Sequence, residues 1–383
     1  MSALNNLKSV RYAKRLIKFN SVSRQTNRVI SKFMEVKLAK YGFVIEKLEY
    51  RDQNNVRKVC LVGKKGGGSG GLAYFCHTDV VPADRWFSKT QSPFEPVIAR
   101  ERLYGRGSCD MKGSIACMLV AVQRYHWDEL RSPIYFICTA DEEVGFHGAK
   151  RIAAESRFYK EMVASGTKGV IGEPTSLDVV YAHKGSISIR AVSHGKSAHS
   201  ATSFGKNANL NMIPFLSEMK AIHDETEQDG RWHNHLFSPP TVSWNIGIND
   251  NTRAINIKAA QSVCTVYART MPEIDIHPLL DRVKQVADAN QLELEIVINP
   301  AFYQDPQSPF VKEAMRLANC KSPRTVCYAT DACYFSDLKE LIVIGPGSID
   351  QAHTSKEWIS LEQLALGTEL YDKMIRAFCV NTN

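Results

Sequence analysis

Short apolar runs alternate with segments of helical period through the first half of the chain. KVCLVG (58–63) and LAYFC (72–76) have the length and the β-branched or aromatic content of strands. MKGSIACMLVAVQRY (111–125) predicts a helix with Asp110 at its N-cap. PIYFICTA (133–140) reads as a buried strand, GAKRIAAES (148–156) as a helix and GVIG (169–172) as another strand. Such alternation predicts an α/β domain with a mostly parallel sheet, to which LIVIGPG (341–347) and a long C-terminal helix return. The middle of the chain reads differently. Strand SISIRAV, a helix at about 207–223, strands TVSWNIGI and SVCTVYART, helix HPLLDRVKQVADA and strand LELEIVI follow in the order β-α-β-β-α-β. This is the ferredoxin-like α+β unit, and it places an inserted domain at 184–295 inside a first domain made of 1–183 and 296–383. Near the N-terminus, Leu7, Val10, Leu16 and Ile17 fall on one face of an amphipathic surface helix. KKGGGSGG (64–71) contains G-x-S-x-G, but a strand follows where a nucleophile elbow needs a helix, so it reads as a flexible turn.

Composition narrows the class. At 44% hydrophobic and 23% charged the chain is neither disordered, collagen-like nor a disulfide-stapled scaffold. No window is long and apolar enough for a membrane span, and the N-terminus lacks the apolar core of a secretory signal. The ten cysteines form no CxxC and mostly sit in apolar runs, as expected of reduced, buried thiols in a cytoplasmic protein. A net charge of +8 raises the alternative of a non-enzymatic, nucleic-acid-binding module. The basic residues read as dispersed and no nucleic-acid motif is found, so neither a nucleic acid nor a membrane is expected as partner.

The chemistry lies at the strand ends. LAYFC runs into His77-Thr78-Asp79, PIYFICTA into Asp141-Glu142-Glu143 and GVIG into Glu173, while Asp110 closes the glycine-containing turn GRGSCD. In an open α/β sheet, sites gather outside the carboxyl ends of the strands. One such acid is ordinarily a helix cap or a solvated loop residue. Several with a histidine suit a divalent metal, and two ions bridged by one carboxylate would relieve the repulsion among them.

FCHTDVVP, RLYGRGSCDMKG, TADEEVG, IGEPT and GPGSIDQAHTSKEW, in that order, resemble the zinc-dependent aminoacylase/carboxypeptidase family nearly end to end. The resemblance implies a di-zinc catalytic domain and a lid that also serves dimerisation. It implies His77 and Glu173 on one Zn2+, Glu143 and His353 on the other, and Asp110 bridging both, with Co2+ a possible substitute. Asp79 would accept a hydrogen bond from the His77 imidazole and fix its tautomer. Glu142 would be the general base, pointing away from its neighbour Glu143 if the segment is extended. From the lid, His199 would stabilise the oxyanion, in relatives sometimes across a dimer interface. Arg269 and Asn256 would hold a substrate carboxylate, and Lys184 is a weaker candidate for the same task. The implied reaction is hydrolysis of N2-acetyl-L-ornithine to acetate and ornithine, a step towards arginine, by a cytoplasmic homodimer. Asp331 is offered as partner for the substrate's ammonium. Acetylcitrulline, succinyl-diaminopimelate and short dipeptides are alternatives, because EVGFHGAK, YATDACYF and TRAIN depart from the expected loops and Phe146-His147 has no assignment.

Overall fold

In the computed structural model, which describes residues 3–380, β1 (Val44–Arg51) and β2 (Arg57–Lys65) form an antiparallel pair. β3 (Leu72–His77), β4 (Ile134–Thr139), β5 (Lys168–Ile171), β6 (Val180–His183) and, much later, β11 (Leu341–Val343) complete the order β1-β2-β4-β3-β5-β11-β6, with further short strands at the β6 edge. The central four, β4, β3, β5 and β11, are parallel. Every residue of β3 and β4 is buried, which is why both read as unbroken apolar runs. The order of parallel strands puts their carboxyl ends along one edge.

The helices of this first unit are α1 (Lys8–Ile17), α2 (Arg28–Lys40), α3 (Lys112–Val122), α4 (His147–Glu155), α5 (Arg157–Ser165), α8 (Pro309–Ala318) and α9 (Leu361–Cys379). α3 is buried along its whole length, with α1 and α9 packed against it. Its N-cap is Met111, so Asp110 is not the cap that the sequence suggested: its carboxylate is turned to two histidines instead. The apolar pattern alone assigns no element to residues 28–51. Those residues form α2 and the edge strand β1, whose Glu46, Lys47 and Glu49 mask the strand signal. The KKGGGSGG turn packs closely against Arg131–Pro133. A side chain at Gly71, whose φ is +86°, would put its Cβ 2.0 Å from the Pro133 carbonyl oxygen.

The chain divides into two compact units, His183–Tyr303 with Thr325–Ala329 forming the second and the remainder the first. The boundary expected at 295/296 falls inside β10 (Glu293–Asn299). In the second unit β7 (Ser186–His194), β8 (Asn245–Asn249), β9 (Gln261–Ala268) and β10 lie in the order β8-β9-β7-β10, antiparallel throughout. α6 (Ala208–Gln228) and α7 (His277–Ala289) pack on this sheet, giving the expected ferredoxin-like arrangement. β8 starts four residues later than TVSWNIGI suggested. Ser243 takes a φ of +52° and the Thr241 carbonyl accepts from Lys184 Nζ, so neither is free for a ladder.

Candidate active site

His77 is the last residue of β3, level with Thr139 of β4. Its ring therefore stands at the edge where β4 and β5 also end. Glu173 follows β5, and Asp141-Glu142-Glu143 follow β4. A short 3-10 turn, Glu142–Val144, is entered through Asp141 at φ +59°. The segment is thus a turn and not extended, and both glutamates face the cluster: one carboxylate oxygen of each lies within 4.8 Å of a His77 nitrogen and of the other. His353, in the loop after β11, also has a left-handed backbone, φ +60°.

These groups meet. His77 Nε2 is 2.9 Å from Asp110 Oδ1 and 3.5 Å from Glu173 Oε1. His353 Nε2 is 3.4 Å from Asp110 Oδ2 and 3.0 Å from Glu143 Oε2. Asp110 therefore offers one oxygen to each histidine. Two groups, His77/Asp110/Glu173 and Asp110/Glu143/His353, each have ligand atoms within 4.8 Å of one another and share Asp110. Tetrahedral ligands about 2.0–2.1 Å from a zinc ion lie roughly 3.3–3.4 Å apart; the four separations here, 2.9 to 3.5 Å, bracket that spacing, the two shortest being hydrogen-bond distances that an ion would widen.

The electrostatics match a cation site. Burial pushes the Glu173 and Glu142 carboxyls well above the usual carboxylate range, and neighbouring acids push them further. Burial and Asp110 raise Glu143 as well. Burial disfavours the charged form of His77, but Glu173 and Asp110 outweigh it and pull the imidazole well above its ordinary value. Hydrogen bonds to Asp110 and Glu143 raise His353 to about 10. Only Asp110 is held below its ordinary range, by the two histidines against the cost of burial. Glu143 Oε1 is buried with no hydrogen-bond partner among the described residues. Carboxylates driven towards protonation, histidines driven to charge and an orphaned carboxylate oxygen all describe a pocket short of positive charge. His77, Asp110, Glu143, Glu173 and His353 fit a pair of divalent ions.

A supporting row was invisible in the sequence. Glu357, buried, bonds Arg106 Nη1 at 2.8 Å and accepts the amides of Gly107, Cys109 and Asp110 at 2.9, 2.8 and 3.1 Å. It folds GRGSCD into the turn that presents Asp110. Asp141 is held by Lys58 Nζ at 2.6 Å and Tyr50 Oη at 2.8 Å. Asp79 differs from expectation: the His77 Nδ1–H points to the Asp79 backbone carbonyl at 2.9 Å, while its carboxylate Oδ1 is 3.8 Å away. That carboxylate instead accepts from Ser23 Oγ and from the Glu142 and Glu143 amides, at 2.8, 3.3 and 3.4 Å. Asp79 thus positions both the imidazole and the glutamate turn. The only cue was its place two residues after His77.

Asp331 is buried beneath the strand ends and takes a 2.6 Å bond from Thr139 Oγ1. Burial raises its carboxyl to about 7. With both oxygens buried it is not open to a substrate ammonium in this structure. His199, Asn256, Arg269 and Lys184 all belong to the second unit. His199 and Asn256 are exposed, and Arg269 is partly buried over the Tyr267 ring. Lys184 is fully buried, and its ammonium is committed to the Pro239 and Thr241 carbonyls at 2.8 and 2.7 Å, which corrects its candidacy for substrate binding. Phe146 packs on Tyr334, and His147 opens α4 at the surface.

Residues 73–377 match the family described as peptidase family M20/M25/M40. The chain belongs to that family. The motifs pointed to the same place, and the chain is a metal-dependent hydrolase. It is 30% identical over 366 residues to the acetylornithine deacetylase of Proteus mirabilis, covering 93% of this chain and 91% of that protein. The acetylornithine deacetylase of Edwardsiella ictaluri is 30% identical over 336 residues, 85% of each chain. Among solved structures, the M20 family metallo-carboxypeptidase Sso-CP2 from Sulfolobus solfataricus superposes with a TM-score of 0.75 at 14% identity, over 97% of this chain and 99% of that one. Human carnosine dipeptidase 1 does so with a TM-score of 0.71 at 18% identity, over 97% of both chains. These last two likenesses establish the M20 fold.

Proposed function

We propose that this M20 hydrolase removes the acetyl group from N2-acetyl-L-ornithine, with two zinc ions, or cobalt in their place, held by His77, Asp110, Glu143, Glu173 and His353. The observation that carries the hydrolytic part is Asp110 reaching a histidine with each oxygen, with the free carboxyl of Glu142 beside the same cluster. The near full-length likeness to acetylornithine deacetylases supports the substrate. When bound, the two ions polarise the amide carbonyl and acidify the attacking water. Glu142 accepts a proton from that water as its oxygen bonds to the carbonyl carbon, and gives the proton to the amine nitrogen as the C–N bond breaks. Asp79 keeps the glutamate turn and the His77 tautomer in place. In the same proposal, His199 of the second unit stabilises the oxyanion, Arg269 and Asn256 bind the substrate carboxylate, and the enzyme works as a cytoplasmic homodimer.

A second reading, cleavage of a short dipeptide, is favoured by the likeness to a dipeptidase structure and by the burial of Asp331, which leaves the ammonium of ornithine without the partner expected for it. A panel of N2-acetyl-L-ornithine, N-acetylcitrulline, succinyl-diaminopimelate, N-acetyl-leucine and simple dipeptides, assayed with zinc and with cobalt, separates the two. Highest kcat/KM on acetylornithine supports the first reading. Higher values on dipeptides replace it with the second, and equal rates on every acyl amino acid sink the specific substrate.

A further inference from the structure

Counted along the chain, the positive charge is concentrated at one end, which corrects the reading of its basic residues as dispersed. Residues 1–40 hold ten lysines and arginines and one acid, Glu35, so that stretch carries +9 against +8 for the whole chain, and residues 41–383 together carry −1. Within this stretch, α1 buries Val10, Ala13, Leu16 and Ile17 in the core and turns its basic side outward. Lys8, Arg11 and Arg15 lie on one stripe of that side. Lys37 of α2 reaches towards them, its ammonium 5.5 Å from the Tyr12 ring centre and 5.6 Å from that of Phe33. The four cations and two rings line a cleft of about 480 Å³, completed by Gln123, with no acid in its wall.

An ordinary solvated helix face would pair its charges. Five other helices carry such pairs: Arg151–Glu155 on α4, Lys220–Asp224 on α6, Lys284–Asp281 on α7, Arg316–Glu313 on α8 and Lys373–Glu369 on α9. α1 contains no acid at all, and among the described residues Lys8, Arg11, Arg15 and Lys37 form no ion pair. A cleft lined by one sign of charge concentrates the field and draws counter-ions. Two guanidinium forks and two ammoniums suit phosphate oxygens, and the volume lies in the small-ligand range. Insertion into a membrane does not explain the face, because the apolar side of α1 is already consumed by the core.

We propose that this cleft is a binding site for a compact polyphosphate group, as carried by a nucleoside di- or triphosphate or by a short inorganic polyphosphate. The test is calorimetric titration of the metal-loaded, full-length protein at about 50 mM salt, where screening leaves surface charge effective. The probes are tripolyphosphate, ATP, adenosine, a DNA duplex and phosphatidylserine vesicles, applied to the wild type and to Arg11→Glu/Arg15→Glu/Lys37→Glu. Saturable binding of ATP or tripolyphosphate to the wild type, weakened roughly tenfold or more in the variant, is the expected result. Tighter binding of ATP than of tripolyphosphate assigns the nucleotide as source, and equal affinities assign the phosphate chain. Extraction of active-site metal by the probe would be the same in both proteins, so equal binding to wild type and variant overturns the proposal. So does binding of adenosine alone, absence of saturable binding, or binding only to DNA duplexes or phosphatidylserine vesicles. Should the triple variant lose its circular dichroism signature, Arg11→Gln/Arg15→Gln serves in its place, and undiminished affinity there overturns the site equally.

Discussion

Asp110 is the hinge of the site because its two oxygens serve two histidines, and its neighbours make that possible. Glu357 accepts the amides of Gly107, Cys109 and Asp110 in the GRGSCD turn and ties down Arg106. It touches no proposed ligand side chain, so its loss should act through geometry. Glu357→Gln keeps the shape but cannot accept all four donors. Metal affinity is expected to fall about 10–100-fold, the scale seen when ligand-orienting groups are lost. Excess metal should restore much of the turnover; a fall in kcat that saturating zinc leaves untouched would contradict a positioning role. Glu142 should behave in the opposite way. Glu142→Gln is expected to retain its metal and lose about 10²–10⁴-fold in kcat, the contribution of a placed general base. Near-normal kcat with full metal occupancy would remove Glu142 from the reaction. The difference between these two residues explains what was legible beforehand. His77, Asp110, Glu143, Glu173 and His353 stand in motifs beside strands and turns that the apolar pattern reveals. Glu357, Lys58 and Tyr50 do their work on partners some 80–250 positions away, which no local pattern can report.

Elements set the edge on which those residues meet. The four parallel strands were readable because burial on both faces leaves uninterrupted apolar runs. β1 and α2 were not, since an edge strand and a surface helix keep alternating charge. The ends of elements also carry buried polar groups with a pH signature. His183 closes β6 with its ring fully buried and its Nδ1–H on the Lys184 carbonyl at 2.8 Å. Burial pushes the imidazole down to about 4. The folded chain therefore refuses a proton that the unfolded chain accepts below about pH 6.5. The stability due to a neutral ring is complete above that pH and is lost as pH falls towards 4, by about 3 kcal/mol in all. His183→Gln, which cannot titrate, should be less stable than wild type near pH 7 and should close much of that gap near pH 5. Urea midpoints at the two pH values decide it; a constant gap would mean that His183 does not titrate across this window.

At the scale of the whole molecule, the cluster joins five segments that span His77 to His353, so bound cations act as a cross-link as well as a catalyst. Without them, the fold holds several carboxyls in a buried pocket at a cost visible in their raised pKa values. Glu173 makes the sign testable. Its carboxyl is pushed up first by burial and then by Asp110, so its charge opposes folding when no cation is present. Neutral Gln at that position relieves the penalty in metal-free protein and removes a ligand in metal-loaded protein. Chelation should therefore lower the Tm of wild type, since metal at about a hundred times its Kd contributes roughly 2.7 kcal/mol. Glu173→Gln should melt at or above wild type in chelator and below it in saturating zinc. That crossing separates a ligand from a residue that merely packs. A structural glutamine defect would lower both Tm values alike, and parallel losses in thermal melts with and without zinc would take Glu173 out of the metal shell.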